Sequence, residues 1–399
     1  MSGLRFKQID AFNYEDRQFV SLGSVADYGK RRSSAKDKIY VSTEDLLKDF
    51  GGVRLNRRDQ CEGINFTKGD ILLGNIRPYL RKMWLANCDG LCSSDVLVIR
   101  SKGVPPAYLF SILSSNSFFQ HVAEGCKGSK MPRGDKKQIL EFSFRLHDNF
   151  DEQQKIAAFF TALDRRIENC EKRLVTLEQL KKGVLQKMLS SNSRTLPEIR
   201  FKGFEGSWKA YKLSEVLDEI YVGQTPRRNH KEFWNGAINW LSSRDLTRGF
   251  VEETAEKITN VGMKSTRLRI VPNGTVVIAM IGLDAENTRG NCGILKIEST
   301  INQSCAALIP KKDKIIPEFL FHWYRFFGND LALHYTQGTK QQNYNVDILS
   351  ILPIHIPSLE EQKKISAILS TIDEQIVNDE KTKNNLIRLK NGLLQQMFI

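Results

Sequence analysis

DEQQKIAAFFTALDRRIENCEKRLVTLEQLKKGVLQKML, residues 151–189, has a second copy, EEQKKISAILSTIDEQIVNDEKTKNNLIRLKNGLLQQMF, at residues 360–398. A constant offset of 209 aligns them. From Glu152/Glu361 onward, 17 of 38 positions are identical, among them Asp164/Asp373, Gly183/Gly392 and Met188/Met397. A repeat at fixed offset sets the architecture before any local reading does. In the first copy, apolar or near-apolar residues fall at Ile156, Phe160, Leu163, Ile167, Cys170, Leu174 and Leu177. Steps that alternate 4 and 3 are the seam of a coiled coil. The register then slips: Lys181 takes the next seam position, and Val184 and Met188 resume. The second copy keeps Ile365, Leu369, Ile372 and Ile376, sets Asp379 and Lys383 on the seam, and returns to Leu386, Leu393 and Met397. Each copy predicts a helix of roughly 57 Å. Two matching stripes bury most simply against each other. The alternative is two separate amphipathic helices, each packed on its own globular neighbour.

Working outward, the rest of the chain repeats as well. RFK occurs at Arg5-Phe6-Lys7 and at Arg200-Phe201-Lys202, and KLSEVLDEIYVGQTPRR (212–228) parallels VSLGSVADYGKRRS (20–33), read as strand, turn and basic loop. GDILLGNIRPYLRKMWLANCDGLCSSDVLVIRSK (69–102) and PNGTVVIAMIGLDAENTRGNCGILKI (272–297) read as short strands between turn residues. Tyr108-Leu109-Phe110 matches Phe319-Leu320-Phe321, Gly128-Ser129-Lys130 matches Gly338-Thr339-Lys340, and Ile139-Leu140 matches Ile348-Leu349. Residues 126–138 read as a Gly- and Lys-rich loop, and ILEFSF (139–144) as a strand. The chain is therefore a tandem duplication: globular half, helix, globular half, helix. The halves share a framework and differ in loop-like stretches such as GNIRPYLRK against AMIGLDAENTRG. Two copies of one reader with different objects produce that pattern, and so does ordinary drift.

At 399 residues there is room for two globular domains beside the helices, each large enough for an ordinary core. No apolar run approaches the roughly 20 residues that span a bilayer, and MSGLRFKQID shows no apolar signal region, so a cytoplasmic protein is expected. The seven cysteines are scattered without a CxxC, which argues for free thiols in a reducing compartment. Net charge is +13 and sits mainly in the globular halves, with 24 Lys and Arg against 17 Asp and Glu in residues 1–150 and 21 against 17 in residues 191–358. A basic globular domain is an electrostatic footprint for nucleic acid.

No catalytic constellation is evident. There is no GxxxxGK[ST], no glycine-rich cofactor loop after a strand, no Asn-Pro of the kind that holds a flipped base, and no metal-ligand spacing among the six histidines. What remains is basic and amide side chains on turn-rich loops. In the first half these are Lys30, Arg31, Arg32, Arg77 and Arg81 around Tyr79, Lys130 and Arg133; in the second half, Gln224, Thr225, Arg227, Arg228, Ser243, Arg244, Arg289, Lys340, Gln341, Gln342 and Asn343. Arg reads guanine edges and Gln or Asn reads adenine edges, whereas Lys mainly meets phosphates. Solvated surface charge is the plain alternative at any one position; recurrence at equivalent places in both halves favours DNA contact.

The chain resembles the specificity subunit of a type I restriction–modification enzyme. The residues that carry the resemblance are LPEIRFKGFEGSWKAYKLSEV (196–216), IPSLEEQKKISAILSTIDEQI (356–376) and LKNGLLQQMF (389–398), with FDEQQKIAAFFTALDRRI (150–167) and LKKGVLQKML (180–189) as the first copy. It departs at LRFKQIDAFNYEDRQFVSL (4–22), which lacks the Gly-Phe and Trp found at Gly203-Phe204 and Trp208, and at HDNFDEQQKI, which lacks a proline lead-in. The resemblance implies an α+β chain with two target-recognition domains, 1–150 and 193–358, held apart by an antiparallel coiled coil of helices 151–192 and 359–399. Each domain would read half of a split, asymmetric DNA target, and the coiled coil would set the gap. It also implies no cofactor on this chain. S-adenosylmethionine, ATP and Mg²⁺ would serve partner modification and restriction subunits. The competing classes are a methyltransferase or nuclease with a fused recognition region, and a purely structural coiled-coil adaptor.

Overall fold

The structure is a computed structural model that describes residues 18–128, 130–189, 196–283, 288–336 and 343–399. Both repeated segments are single helices, Phe150–Met188 and Leu359–Phe398. Each starts at a polar cap, and the caps are themselves repeat-equivalent. Asn149 Oδ1 accepts from Asp151 N–H at 2.8 Å, and Ser358 Oγ accepts from Glu361 N–H at 3.4 Å. Asp151 and Glu152, or Glu360 and Glu361, fill the first turn, where carboxylates favour the positive end of the helix dipole. No described helix is long and apolar enough to cross a membrane.

The chain forms two compact units, residues 1–173 with 379–399, and residues 174–378. Each globular half is thus grouped with part of each long helix. In the first unit the strands are β1 (Gln18–Ser21), β2 (Ala26–Tyr28), β3 (Arg32–Val41), β4 (Asn56–Phe66), β5 (Ile71–Gly74), β6 (Met83–Leu85), β7 (Gly90–Cys92), β8 (Val96–Ser101) and β9 (Ser143–Leu146). An antiparallel sheet runs β2-β8-β5-β6, β1 pairs with β9, and β3, β4 and β7 close a small barrel. The core is aromatic, with Tyr108, Phe118, Phe144 and Phe160 fully buried. Leu393, Leu394, Met397 and Phe398 of the second long helix complete it, Phe398 lying 5.5 Å from Tyr108 and 6.1 Å from Phe160 between ring centroids. Burying one such phenylalanine contributes about 1.5–3 kcal/mol.

The second unit repeats the plan. Its strands are β10 (Lys209–Lys212), β11 (Leu217–Val222), β12 (Trp234–Leu241), β13 (Gly249–Val251), β14 (Glu256–Ile258), β15 (Val276–Ala279), β16 (Cys292–Leu295), β17 (Thr300–Ile301), β18 (Cys305–Pro310) and β19 (Pro353–Ile356). The main sheet runs β11-β18-β15-β16-β13, a second runs β14-β12-β17, and β10 pairs with β19. The parallel pairing of β3 with β7, at Val41↔Cys92, has its counterpart in β12 with β17, at Leu241↔Ile301. Leu185 and Met188 of the first long helix, Leu189 just after it, and Ile365 and Leu369 of the second helix join this core.

The long helices pair with opposite direction within each unit. In the first unit Lys390 Nζ meets Asp164 at 2.6 Å, and Arg173 meets Asp379 at 3.0 Å. In the second, Lys181 Nζ meets Asp373 at 2.6 Å. The offset of 209 carries Asp164 onto Asp373 and Lys181 onto Lys390, so one ion pair is built twice. The apolar seam is shorter than its sequence spacing suggests. Ile156, Phe160, Leu163, Leu174, Ile365, Leu369, Ile372 and Leu393 are buried, whereas Ile167, Leu177, Ile376 and Leu386 are half-buried. Both packings expected as alternatives coexist: helix ends enter the globular cores, and charged residues join the stretch between.

Two local expectations change. ILEFSF is not strand from its start, because Lys136–Glu141 is helical and only Ser143–Leu146 extends. Asp135 caps that helix, accepting from Lys137 and Gln138 N–H, and the cap overrides the strand preference of Ile139. The basic loop at 30–32 is shorter than read, since Arg32 already opens β3.

Candidate nucleic-acid interface

In the first unit the segment between β5 and β6 gathers its neighbours through backbone bonds. Asn75 N–H donates to Asp95 O at 2.9 Å, and Arg77 N–H donates to Pro132 O at 2.8 Å. Ile76 pairs with Arg133 as an isolated bridge. Pro78–Leu80 then makes one tight turn, with Arg77 at φ 52° and Arg81 at φ 49° on either side. A left-handed non-glycine residue costs about 1–2 kcal/mol, and backbone strain of this kind concentrates where function demands a geometry. The result is that Pro78 is buried while Tyr79 stands 60% exposed at the apex beside an exposed Arg77.

Residues 42–55 lean on the same segment. Asp49 N–H donates to Leu80 O at 3.1 Å, Phe50 N–H to Arg81 O at 3.2 Å, and Lys82 Nζ to Thr43 O at 2.5 Å. These backbone bonds join residues 49–50, 76–82 and 132–133, which sets Arg77, Arg81 and Arg133 on adjoining segments, with Tyr79 and Lys130 a few residues away in sequence. Not all of these cations are equally available. Arg133 meets Asp95 at 3.2 Å, and the Arg81 guanidinium packs 5.9 Å from the Phe119 ring. Lys30, Arg31 and Arg32 are exposed on a separate segment at the head of β3, where the Arg31 carbonyl accepts from Asn65 N–H at 2.8 Å.

In the second unit the candidates fall around β12 and β17. Gln224 N–H donates to Ile301 O at 3.1 Å, and the Thr225 hydroxyl donates to Gln303 Oε1. Arg228 grips Glu256 with two nitrogens and lies 3.9 Å from the Trp234 ring and 5.0 Å from Trp240. Its orientation is thus fixed from inside the protein, while its side chain stays 56% exposed. The Arg228 hydrogen bond holds the Glu256 carboxyl below its usual pKa, and the charges of Arg228 and Arg244 add to the effect. Arg227 is exposed, and its carbonyl accepts from Trp234 Nε1–H at 3.3 Å. Ser243 and Arg244 sit on a short turn after β12. Asp245 locks it by accepting from Ser242 N–H at 2.7 Å, Ser242 Oγ at 2.9 Å and Ala255 N–H at 3.1 Å.

Arg248 is a residue that sequence spacing missed. At φ 62° it donates from N–H to Cys292 O at 2.9 Å, from Nη2 to Arg289 O at 2.5 Å and from Nε to Asn291 Oδ1 at 3.3 Å. It ties the 242–248 turn to the 288–291 stretch. The only sequence signal is an Arg-Gly step ahead of a short strand. Arg289 is half-buried and donates to Leu283 O at 2.8 Å, and Asn343 Oδ1 accepts from Gly282 N–H at 3.0 Å. These two therefore converge on one segment. Lys340, Gln341 and Gln342 lie outside the described residues. Among the described residues no group of three His, Cys, Asp or Glu side chains is placed to hold a metal ion.

A family profile described as "Type I restriction modification DNA specificity domain" matches residues 14–179 and 205–388. The MjaVIII specificity subunit of Methanocaldococcus jannaschii is 24% identical over 405 residues, covering 96% of this chain and 92% of that protein. The HindI specificity subunit of Haemophilus influenzae is 23% identical, covering 94% and 99%. The match to the MjaIX specificity subunit of M. jannaschii is 29% identical but spans under half of either protein, 48% of this chain and 44% of the relative. Among solved structures, a type I restriction–modification S subunit from M. genitalium has the same fold, with a TM-score of 0.67, 14% identity and 97% coverage of both chains.

Proposed function

Because this chain belongs to the type I restriction–modification DNA specificity family, a family of non-catalytic specificity subunits, we propose that its two globular halves each read one half of a split DNA target. The observation that carries this reading is the duplicated framework with unlike loops. The loop after β5 presents Arg77, Tyr79 and Arg81, the equivalent loop after β15 presents Arg289, and other loops of the second half present Arg228 and Arg244. Different side chains on the same scaffold recognise different sequences, so the target is asymmetric. The exposed lysines contribute the salt-dependent phosphate attraction common to all sequences, and the arginines and amides contribute base readout.

In the same reading the two long helices set the unread gap between the half-sites, and modification and restriction subunits supply the chemistry. S-adenosylmethionine, ATP and Mg²⁺ belong to those partners, and the assembly works in the cytoplasm, where its DNA is. The test is exchange of residues 1–150 for the corresponding domain of a relative. The methylated motif should change in one half only; a change in both halves would contradict two independent readers.

A further inference from the structure

The two units contain one further matched device, at an offset different from that of the helices. Ser42-Thr43-Glu44-Asp45-Leu46 follows β3, and Ser242-Ser243-Arg244-Asp245-Leu246 follows β12. In the first, Asp45 Oδ2 accepts from Ser42 N–H at 2.8 Å and Ser42 Oγ at 2.6 Å, and Oδ1 accepts from Asn56 at 3.1 Å. In the second, Asp245 binds Ser242 in the same two ways. Each turn is anchored at both ends by buried apolar residues, Val41 and Leu46 at 0% exposure and Leu241 and Leu246 at 0% and 1%. A rigid turn of this kind fixes the direction of the one side chain it leaves exposed. That side chain is Glu44 in one unit and Arg244 in the other. The scaffold is preserved and the charge is reversed.

Glu44 also sits where an acid is out of place. Its neighbour Thr43 accepts from Lys82, next to the strained Arg77–Arg81 turn, and the first half carries an excess of positive charge. A carboxylate facing a polyanion is unfavourable unless it accepts a hydrogen bond from a base, and the exposed amino groups in the major groove belong to cytosine N4 and adenine N6.

We infer that this turn is a base-reading finger in both units. Glu44 accepts from the exocyclic amino group of one base in the first half-site, and Arg244 donates to the O6 and N7 of a guanine in the second. The inference rests on the two-reader function above and names the element and the base chemistry within it. The backbone of the turn is held by Asp45 and Asp245, so changing the exposed residue alters the reading and not the fold.

The experiment uses the full chain assembled with modification subunits, with the methylated motif sequenced and binding measured on duplexes varied one position at a time. E44A should lower discrimination at a single first-half position by roughly 5- to 150-fold, E44Q should favour adenine at that same position, and both should leave the second half unchanged. R244A should do the reverse, and E44R should shift the preferred base at its position towards guanine. Melting temperatures of all four variants should match the parent. If E44A instead tightens binding to every duplex evenly and leaves the motif intact, Glu44 is a solvated charge and the inference fails. A parent complex without a two-part motif would overturn the two-reader function itself, whereas a two-part motif indifferent to Glu44 and Arg244 overturns only the finger.

Discussion

Replacing Asp373 with alanine should destabilise the second unit far more than the equivalent change at Asp164 destabilises the first. Asp373 is 8% exposed and sits between Lys181 at 2.6 Å and Arg325 at 2.8 Å, whose side chains are 22% and 8% exposed. Burial alone would raise its pKa, but Arg325 and Lys181 outweigh burial and keep the carboxylate ionised below the usual range. Removing it strands two cations in a poorly hydrated site, which costs about 3–5 kcal/mol. Asp164 makes the repeat-equivalent bond to Lys390 but is 38% exposed, and it serves one cation. Water can re-enter there, so its loss should cost about 1–3 kcal/mol. The measurement is urea unfolding followed by tryptophan fluorescence and far-UV circular dichroism; four of the five tryptophans, Trp208, Trp234, Trp240 and Trp323, lie in the second unit. The triple variant Lys181→Met, Arg325→Met, Asp373→Leu should recover most of the loss, because it removes the stranded charges together. Equal costs at Asp373 and Asp164, or a triple variant no better than Asp373→Ala, would refute the claim that stranded charge governs this site.

Other perturbations follow from the same geometry. Alanine at Arg77, Arg133 or Arg244 should cost about 1–3 kcal/mol and relax preference at one target position if the residue reads a base; an even loss across all duplexes with a smaller salt slope marks a phosphate contact instead. Four residues added between Thr176 and Lys181, matched by four between Ile376 and Asp379 to preserve the Lys181–Asp373 and Arg173–Asp379 pairs, lengthen each helix by about 6 Å. The methylated motif should then gain one or two unread base pairs, at about 3.4 Å each, and an unchanged gap in an active variant removes the ruler. His322 is pushed down to about 3, first by burial and then by Arg325, so it is neutral in the folded chain and takes up a proton on unfolding below its ordinary value of 6.5. Stability should therefore fall as pH drops from 6.5 towards 3, by at most about 1.4 kcal/mol per unit from this group, and His322→Leu should flatten that part of the unfolding profile.

The parts of the molecule legible in the sequence are those with long period or exact repetition. The 209-residue offset and the seam residues Ile156, Phe160, Ile365 and Leu369 announce the helices, and RPYLR between strand-like runs announces an exposed basic turn. Other features depend on partners far away in sequence. Lys181 and Asp379 look like defects in an apolar stripe until Asp373 and Arg173 are seen opposite them. The Ser-to-Asp turns at 42–45 and 242–245 are separated by 200 residues and not 209, because insertions between strands shift the register, so an alignment anchored on the helices passes over them. The Lys136–Glu141 helix is too short to show a period and is decided by one capping carboxylate. Arg248 offers nothing but an Arg-Gly step; its role comes from a left-handed backbone that aims its guanidinium at Arg289 and Asn291.

The position of Phe398 bears on how the protein is made. Its ring packs with Tyr108, His147 and Phe160, and Leu393, Leu394 and Met397 lie in the same core. A ribosome delivers Tyr108 and Phe160 long before these residues, with the whole second globular half in between. The domain translated first is therefore the one completed last, and while it waits it displays the greasy slot that Phe398 will fill. Contacts so distant in sequence form slowly, and apolar surface left open in that interval is where non-native association starts. The second half has no such delay, since residues 174–378 contain every segment of its compact unit.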